Sequence, residues 1–219
     1  MEALLRIPKK HKTSTPDKLL DAASKIFAKK GFQAATIEEI CRKADANHAA
    51  INYHFRSKEN LYREAWRHVF NKSIEANPPD GGAPETAPPE ERMRAQLTSL
   101  IRRVTDKNNQ AYNFLFREYA NPTGLLDVIR EEIKPIQQRT RKVIRELIGP
   151  SPDEQTVLFC EMAIIGACTN PMLVHGRRGQ EQGEKESPAL LIDDVEAYAR
   201  HVVQFTLADL AAIRQKAKA

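Results

Sequence analysis

Cysteine, glycine and aromatic residues are all scarce in this chain of 219 residues, which holds 3 Cys, 9 Gly, 1 Trp and 6% aromatics. Cys41, Cys160 and Cys168 are odd in number and stand at no metal-ligand spacing, which argues against a disulfide framework and suits reduced thiols in a cytoplasm. Cys160 and Cys168 on one helix would lie roughly 12 Å apart at about 1.5 Å per residue, too far to share an ion, so no metal is expected. No apolar run reaches about 18 residues, so no membrane-spanning helix is expected. The apolar part of the opening ten residues is too short for a secretory signal. A glycine-rich phosphate loop, a nucleophile elbow and a paired-histidine motif are all missing, so neither an enzyme nor a cofactor is expected. No alternating stretch is long enough to make a strand.

The chain does have enough apolar residues for a core (41%) and enough charge for solubility (29%). That charge is unevenly placed. Residues 1–58 hold 12 Lys+Arg against 6 Asp+Glu, whereas the remainder hold 22 against 23. All of the net positive charge therefore sits at one end, where it attracts a phosphate backbone without reading sequence.

The same end carries the most informative pattern. Thr36 and Glu39 fit a capping box, and Ile37, Ile40 and Ala44 follow on one helical face. Asp45 is one of the few non-glycine residue types that tolerate a left-handed turn. Asn47 caps a second short helix whose apolar side is Ile51 and Phe55. Its other side offers Asn47, His48, Asn52, Tyr53 and His54. Ser57-Lys58-Glu59-Asn60 caps a third helix. A short helix with amides, imidazoles and a phenol outward, presented after a tight turn, suits a major groove.

The run Ala50-Ile-Asn-Tyr-His-Phe-Arg-Ser-Lys-Glu-Asn-Leu-Tyr62, preceded by Gly31-Phe32 and Thr36-Ile37, resembles the DNA-binding domain of TetR-type transcriptional regulators over residues 17–66. Asp45 stands where that family commonly has glycine, and Asn52 where it commonly has tyrosine, which makes Tyr53 and His54 the better candidates for the usual phosphate contact. The resemblance implies that Thr36, Asn47, His48, Ala49, Asn52, Tyr53, His54 and Lys58 face DNA. By residue type, Asn47, His48 and Asn52 suit base edges, and Ala49 permits close approach to a thymine methyl. Tyr53, His54 and Lys58 suit phosphates.

The rest of the chain is helical in period, and the whole reads as all-α with about nine helices. Residues 1–15 form a basic N-terminal arm that is expected to be flexible. Residues 16–62 form the helix-turn-helix domain, opening at Thr15-Pro16-Asp17. Residues 63–219 form a larger regulatory and dimerisation domain. The prolines and glycines of residues 77–89 mark a loop. Pro135 is expected to kink or split the segment 123–148. Ser151-Pro-Asp-Glu154 predicts a second capping box, residues 176–188 a polar loop, and Asp193 with Glu196 the cap of the last helix.

The expected function is a repressor that leaves a palindromic double-stranded operator when a small hydrophobic or drug-like effector binds. Phe114, Phe116, Met162 and Ile165 are the candidate lining of that effector's cavity. A homodimer is expected through residues 152–175 and 192–214, with Val203 and Leu207 at the contact, acting in the cytoplasm without any membrane partner. The alternative is a helical DNA-tethered regulator controlled by a protein partner.

Overall fold

Wherever apolar residues recur at three or four positions, the backbone closes into helix. The computed structural model describes the backbone of residues 14–106, 108–176, 192 and 194–217 and, except at 116 and 171–176, their side chains. Among the described residues there are nine α-helices and no strand, as expected. They are α1 (Thr15–Ala34), α2 (Ile37–Ala44), α3 (His48–His54), α4 (Lys58–Ala76), α5 (Pro89–Thr105), α6 (Ala111–Ala120), α7 (Leu125–Ile148), α8 (Glu154–Gly176) and α9 (Val195–Lys216). The chain divides into two units, Met1–His68 and Val69–Ala219, and the division falls within α4. The basic arm lies outside the described residues but for Ser14 and Thr15, as do most of the 176–188 loop and Asp193.

In the first unit, α1 begins one residue earlier than its Pro16 suggests. Ser14 is the cap: its Oγ accepts from the Asp17 amide at 3.4 Å, and the Asp17 carboxylate accepts from the Ser14 amide at 3.3 Å. Gly31 breaks the helical run with a φ of 76°, a backbone that only glycine adopts freely. The stripe Leu19, Ala23 and Phe27 is buried, and so are Leu61, Tyr62, Ala65 and Trp66 of α4. The Phe27 and Tyr62 rings meet edge to face at 4.8 Å, and Phe32 packs on Tyr62 at 5.1 Å. Ser24 Oγ, 2.6 Å from the Leu20 carbonyl and 3.1 Å from that of Ala65, ties α1 to α4. His68 Nε2 meets Asp21 Oδ1 at 2.8 Å in the same seam.

The second unit packs α5, α7, α8 and α9 around one core, in which Met93, Leu97 and Ile101 meet Val143, Ile144, Val157, Cys168, Val202 and Leu210. Polar ties join the same helices at their edges. Arg102 grips Glu196 with two bonds of 2.7 and 2.9 Å, and the Tyr198 hydroxyl donates to the Ala167 carbonyl at 2.6 Å.

Three local expectations change. First, α7 runs through Pro135 without splitting. Its buried residues are Leu125 and Ile129 at one end and Thr140 to Ile148 at the other, so the proline sits in a solvated middle. There the carbonyl that loses its partner has water instead. Second, Asp153 and not Ser151 caps α8, accepting from the Thr156 amide at 2.8 Å. Third, Asp194 caps α9 through the Ala197 amide at 2.8 Å, and Glu196 turns to Arg102 instead. The 77–88 loop is held closely at one point. A Cβ on Gly81 would fall 2.3 Å from the Ala95 carbonyl oxygen, whereas Gly82 faces open space.

A device that sequence reading did not find starts α7. Glu118 of α6 is wholly buried, and its carboxylate accepts from the Thr123 amide at 2.6 Å, the Thr123 hydroxyl at 2.9 Å and the Leu125 amide at 3.0 Å. Removing the carboxylate would leave those donors unsatisfied, a cost of about 1–3 kcal/mol. Glu118→Ala should therefore lower the free energy of unfolding by about 2 kcal/mol in a urea titration, and Glu118→Gln should recover part of it. An unchanged transition midpoint for Glu118→Ala would rule this cap out as a stabilising contact.

Candidate nucleic-acid interface

The turn between α2 and α3 takes its shape from Asp45, whose φ of 52° reverses the chain so that the Ala46 amide reaches the Cys41 carbonyl at 3.0 Å. Both helices are capped from their own sequence. Thr36 Oγ1 accepts from the Glu39 amide at 3.2 Å, and Asn47 Oδ1 accepts from the Ala50 amide at 2.9 Å. Lys30 pairs with Glu39 and holds that carboxyl below the usual glutamate range. Ile51 and Phe55 are buried at 1% and 8% exposure, which fixes the inward face of α3. The Ser57 hydroxyl accepts from the Asn60 amide at 3.1 Å and starts α4.

The outward face then follows by helical geometry. Thr36, Asn47, His48, Ala49, Asn52, Tyr53 and His54 are all exposed, and Lys58 is half-buried. Tyr53 is 82% exposed, and its ring stands edge-on to that of His54 at 4.8 Å. Lys58 is not a free cation, because its Nζ lies 4.5 Å above the Phe32 ring, a contact that fixes where its charge is presented. Two expected contacts are already in use: Thr36 and Asn47 spend their side-chain oxygens on capping. Thr36 keeps a hydroxyl proton and Asn47 an amide NH2, and these can donate to phosphate or base. The N-terminus of α2 beside Thr36 adds partial positive charge.

Sequence reasoning assigned no role to Arg42, Lys43 and Arg56, which are all exposed. Arg56 holds a φ of 66°, with its amide on the Ile51 carbonyl at 3.1 Å. Its place directly after Phe55 in the quoted run was the only signal for it.

The described candidate effector residues differ in burial. Phe114 is wholly buried and Ile165 is half-buried. Met162 is 69% exposed and shares its face of α8 with Phe159, at 60%, so its place in the expected interior cavity is corrected. The Phe116 side chain lies outside the described residues. A cleft of about 510 Å³ lies instead between the 77–88 loop and α5, lined by Pro78, Gly81, Pro84, Arg94, Thr98 and Arg102 among others. No group of three or more His, Cys, Asp or Glu able to hold a metal exists among the described residues. No described helix is long and apolar enough to cross a membrane.

Comparison with known proteins bears on both units. Residues 19–65 match the family model described as bacterial regulatory proteins, tetR family, and residues 89–210 match that of the C-terminal domain of the HTH-type transcriptional dual regulator CecR. The chain is 28% identical over 148 residues to the probable HTH-type transcriptional regulator YttP of Bacillus subtilis, covering 66% of this chain and 67% of that one. It is 32% identical over 59 residues to the biofilm operon icaADBC HTH-type negative transcriptional regulator IcaR of Staphylococcus epidermidis, a match spanning 27% of this chain and only 32% of IcaR. The fold resembles that of the regulator FadR from Bacillus subtilis, solved in complex with stearoyl-CoA. That likeness has a TM-score of 0.66 at 17% identity, over 87% of this chain and 97% of that one.

The geometry separates residues that hold α3 in place from those exposed on its outward face. Asn47→Ala should cost about 1 kcal/mol of stability through its lost cap, measurable by thermal melting. Asn52→Ala and Tyr53→Ala should leave the melt unchanged. On duplex DNA, Tyr53→Ala and Lys58→Ala should weaken binding at all sequences alike, Lys58→Ala with a salt slope reduced by about one contact. Asn52→Ala and His48→Ala should alter the preference between operator variants. Unaltered operator affinity in all four at moderate salt would refute the assignment of α3.

Proposed function

As a member of the TetR family of bacterial transcriptional regulators with a CecR-type C-terminal domain, the chain is a DNA-binding regulator, and we propose that it is a repressor released by a small molecule. In this reading a homodimer in the cytoplasm holds a palindromic operator through two copies of α3, and a small hydrophobic or drug-like effector in the C-terminal unit releases it. The observation that carries the DNA half of the proposal is the division of α3, with Ile51 and Phe55 buried beneath a wholly exposed polar face. A negative regulator among its relatives, IcaR, supports the direction of control. The ligand that accompanies FadR in its structure supports an effector as a class of control.

The dimer is supported by exposed apolar side chains. Phe159 and Met162 of α8 are 60% and 69% exposed, and Phe205 of α9 is 65% exposed. Apolar groups gathered on two helices in this way usually mark a contact with another protein surface. A twofold dimer also matches the symmetry of a palindromic site, with half-sites roughly 34–36 Å apart or a multiple of it. Val203 belongs elsewhere than expected: at 1% exposure it is part of the protomer's own core, so a charge there would unfold the chain instead of splitting a dimer. Helix α4, which contributes residues to both units, is the natural lever for altering the spacing of the two reading heads.

Phe205→Glu and Met162→Glu should give helical monomers by sedimentation with operator affinity lost, while Leu207→Glu should have a weaker effect because Leu207 is partly packed against the core. A wild-type chain that sediments as a monomer at micromolar concentration would overturn the dimer. Release by an effector must also be reciprocal. Operator DNA should weaken effector binding by the same factor as the effector weakens operator binding, typically about 5–150-fold. Titrating each ligand with and without the other checks this, and unequal factors would refute a two-state release.

A further inference from the structure

Among the described residues the second unit buries four charged side chains along its helices, and three of them have at least one partner for their charge. Arg92 pairs with Glu146 and donates through Nε to the Ala87 carbonyl at 2.9 Å. Glu161 accepts from Arg141 Nε through Oε2 at 2.7 Å, although its buried Oε1 has no partner. Glu118 takes the Thr123 and Leu125 amides. Arg103, near the end of α5, is different. It is 5% exposed, its Nε has no hydrogen-bond acceptor, and no ion pair or side-chain hydrogen bond holds its guanidinium among the described residues. Only its backbone is occupied, as the Arg103 carbonyl accepts from Asn109 Nδ2 at 2.9 Å.

Arg103 is not alone in lacking a partner. Gln96 lies seven residues earlier, on the same face of α5 by helical spacing, and its Oε1 is buried without a donor. Gln110 Oε1, just before α6, is in the same condition. Burial pushes the Arg103 guanidinium below its usual pKa, and the neighbouring Tyr112 phenol only partly opposes this. The buried residues nearest it in sequence, Ile101 and Val104, are apolar and offer no counter-charge. A buried cation is strongly unfavourable unless paired, and cores replace such a group by an apolar one at no loss when it serves only packing.

We propose that Arg103 is the anchor for the anionic head of a small ligand, a carboxylate or phosphate on an apolar body, with the carboxamide oxygens of Gln96 and Gln110 accepting from donor groups near that head. This rests on the effector reading above and gives its ligand a chemical class. An anion supplies the acceptor that Arg103 Nε lacks, in the planar fork geometry that guanidinium and carboxylate or phosphate share. Arg103 contributes binding energy and discrimination between charged and uncharged molecules, and it takes no part in contacting DNA.

The test uses the full chain, with decanoate and decyl phosphate as anionic probes and decanol as the uncharged control. Wild-type protein should bind one or both anions at least about 10-fold more tightly than decanol by calorimetry, the size expected of one charged hydrogen bond. Which anion binds better identifies the head group. Arg103→Met should lose that preference while melting no lower than wild type without ligand, because the methionine removes a charge that has no partner. Arg103→Lys should keep part of the preference. Equal affinity of wild type for anions and decanol would overturn the proposal, as would a fall in melting temperature for both Arg103→Met and Arg103→Lys with anion preference retained. Should Arg103→Met fail to fold, the wild-type comparison and Arg103→Lys decide. A gel shift with operator DNA separates the two readings. Anions that bind through Arg103 yet never release the operator leave the anchor standing and refute effector control. Release by decanol as effective as by the anions refutes the anchor and leaves effector control standing.

Discussion

A helix of seven residues cannot hold its own shape in water, because nucleating it costs more than so few hydrogen bonds return. Helix α3 therefore exists through what it buries. Ile51 at 1% exposure and Phe55 at 8% seat it in the first unit, while Asn47 at its start and Asp45 in the preceding turn determine the angle at which it leaves α2. Every outward side chain, from His48 to His54, owes its direction to that seating. The basic surroundings add attraction but no orientation, since charge in water acts without geometry beyond about a Debye length. The dependence runs one way: repacking Ile51 would move the whole polar face, whereas changing that face leaves Ile51 where it is.

The second unit obeys a different constraint. Its core is shared by α5, α7, α8 and α9, and the charged side chains at its margins must be accounted for one by one. Arg102, Arg92 and Arg141 each find a glutamate on another helix, so electrostatics and packing agree on the same arrangement. Thiol chemistry plays no part in it. Burial pushes Cys168 up to about 12, which leaves it protonated at any ordinary pH and a simple space-filling group. Against this background Arg103 is the buried charged side chain that no ion pair or side-chain hydrogen bond holds among the described residues.

Local signals were the most legible part of the chain. The capping box at Thr36, the left-handed Asp45, the asparagine cap at Asn47 and the end at Gly31 are encoded within four residues of where they act, so residue type and spacing suffice. Errors arose where two residues compete for one role. Ser151 and Asp153 are both good caps, and the structure uses the nearer one. Asp194 likewise takes the place expected of Asp193. Pro135 is expected to kink or split its helix by its position alone, but it leaves α7 unsplit, because the cost of a proline depends on whether its surroundings are wet, which helical period alone does not say. Glu118 and Met162 show the remaining limit. Whether a carboxylate is buried to cap a neighbouring helix, or a methionine stands outside, depends on contacts between elements distant in sequence.

The loop before α5 bears on how this chain can drift. Its two glycines look interchangeable in sequence, and both hold a positive φ, 64° at Gly81 and 79° at Gly82. Yet a methyl group at 81 would collide with the Ala95 backbone, and one at 82 would meet nothing. Variation should accordingly be lopsided between adjacent positions. Asparagine or aspartate at 82 costs only a modest backbone preference, while any side chain at 81 must lift the loop off α5 and pull the Pro78 carbonyl away from the Ser99 hydroxyl that donates to it. What reads as a slack, proline-rich connector is thus pinned at a single atom's clearance, and its tolerance to change is decided one residue at a time.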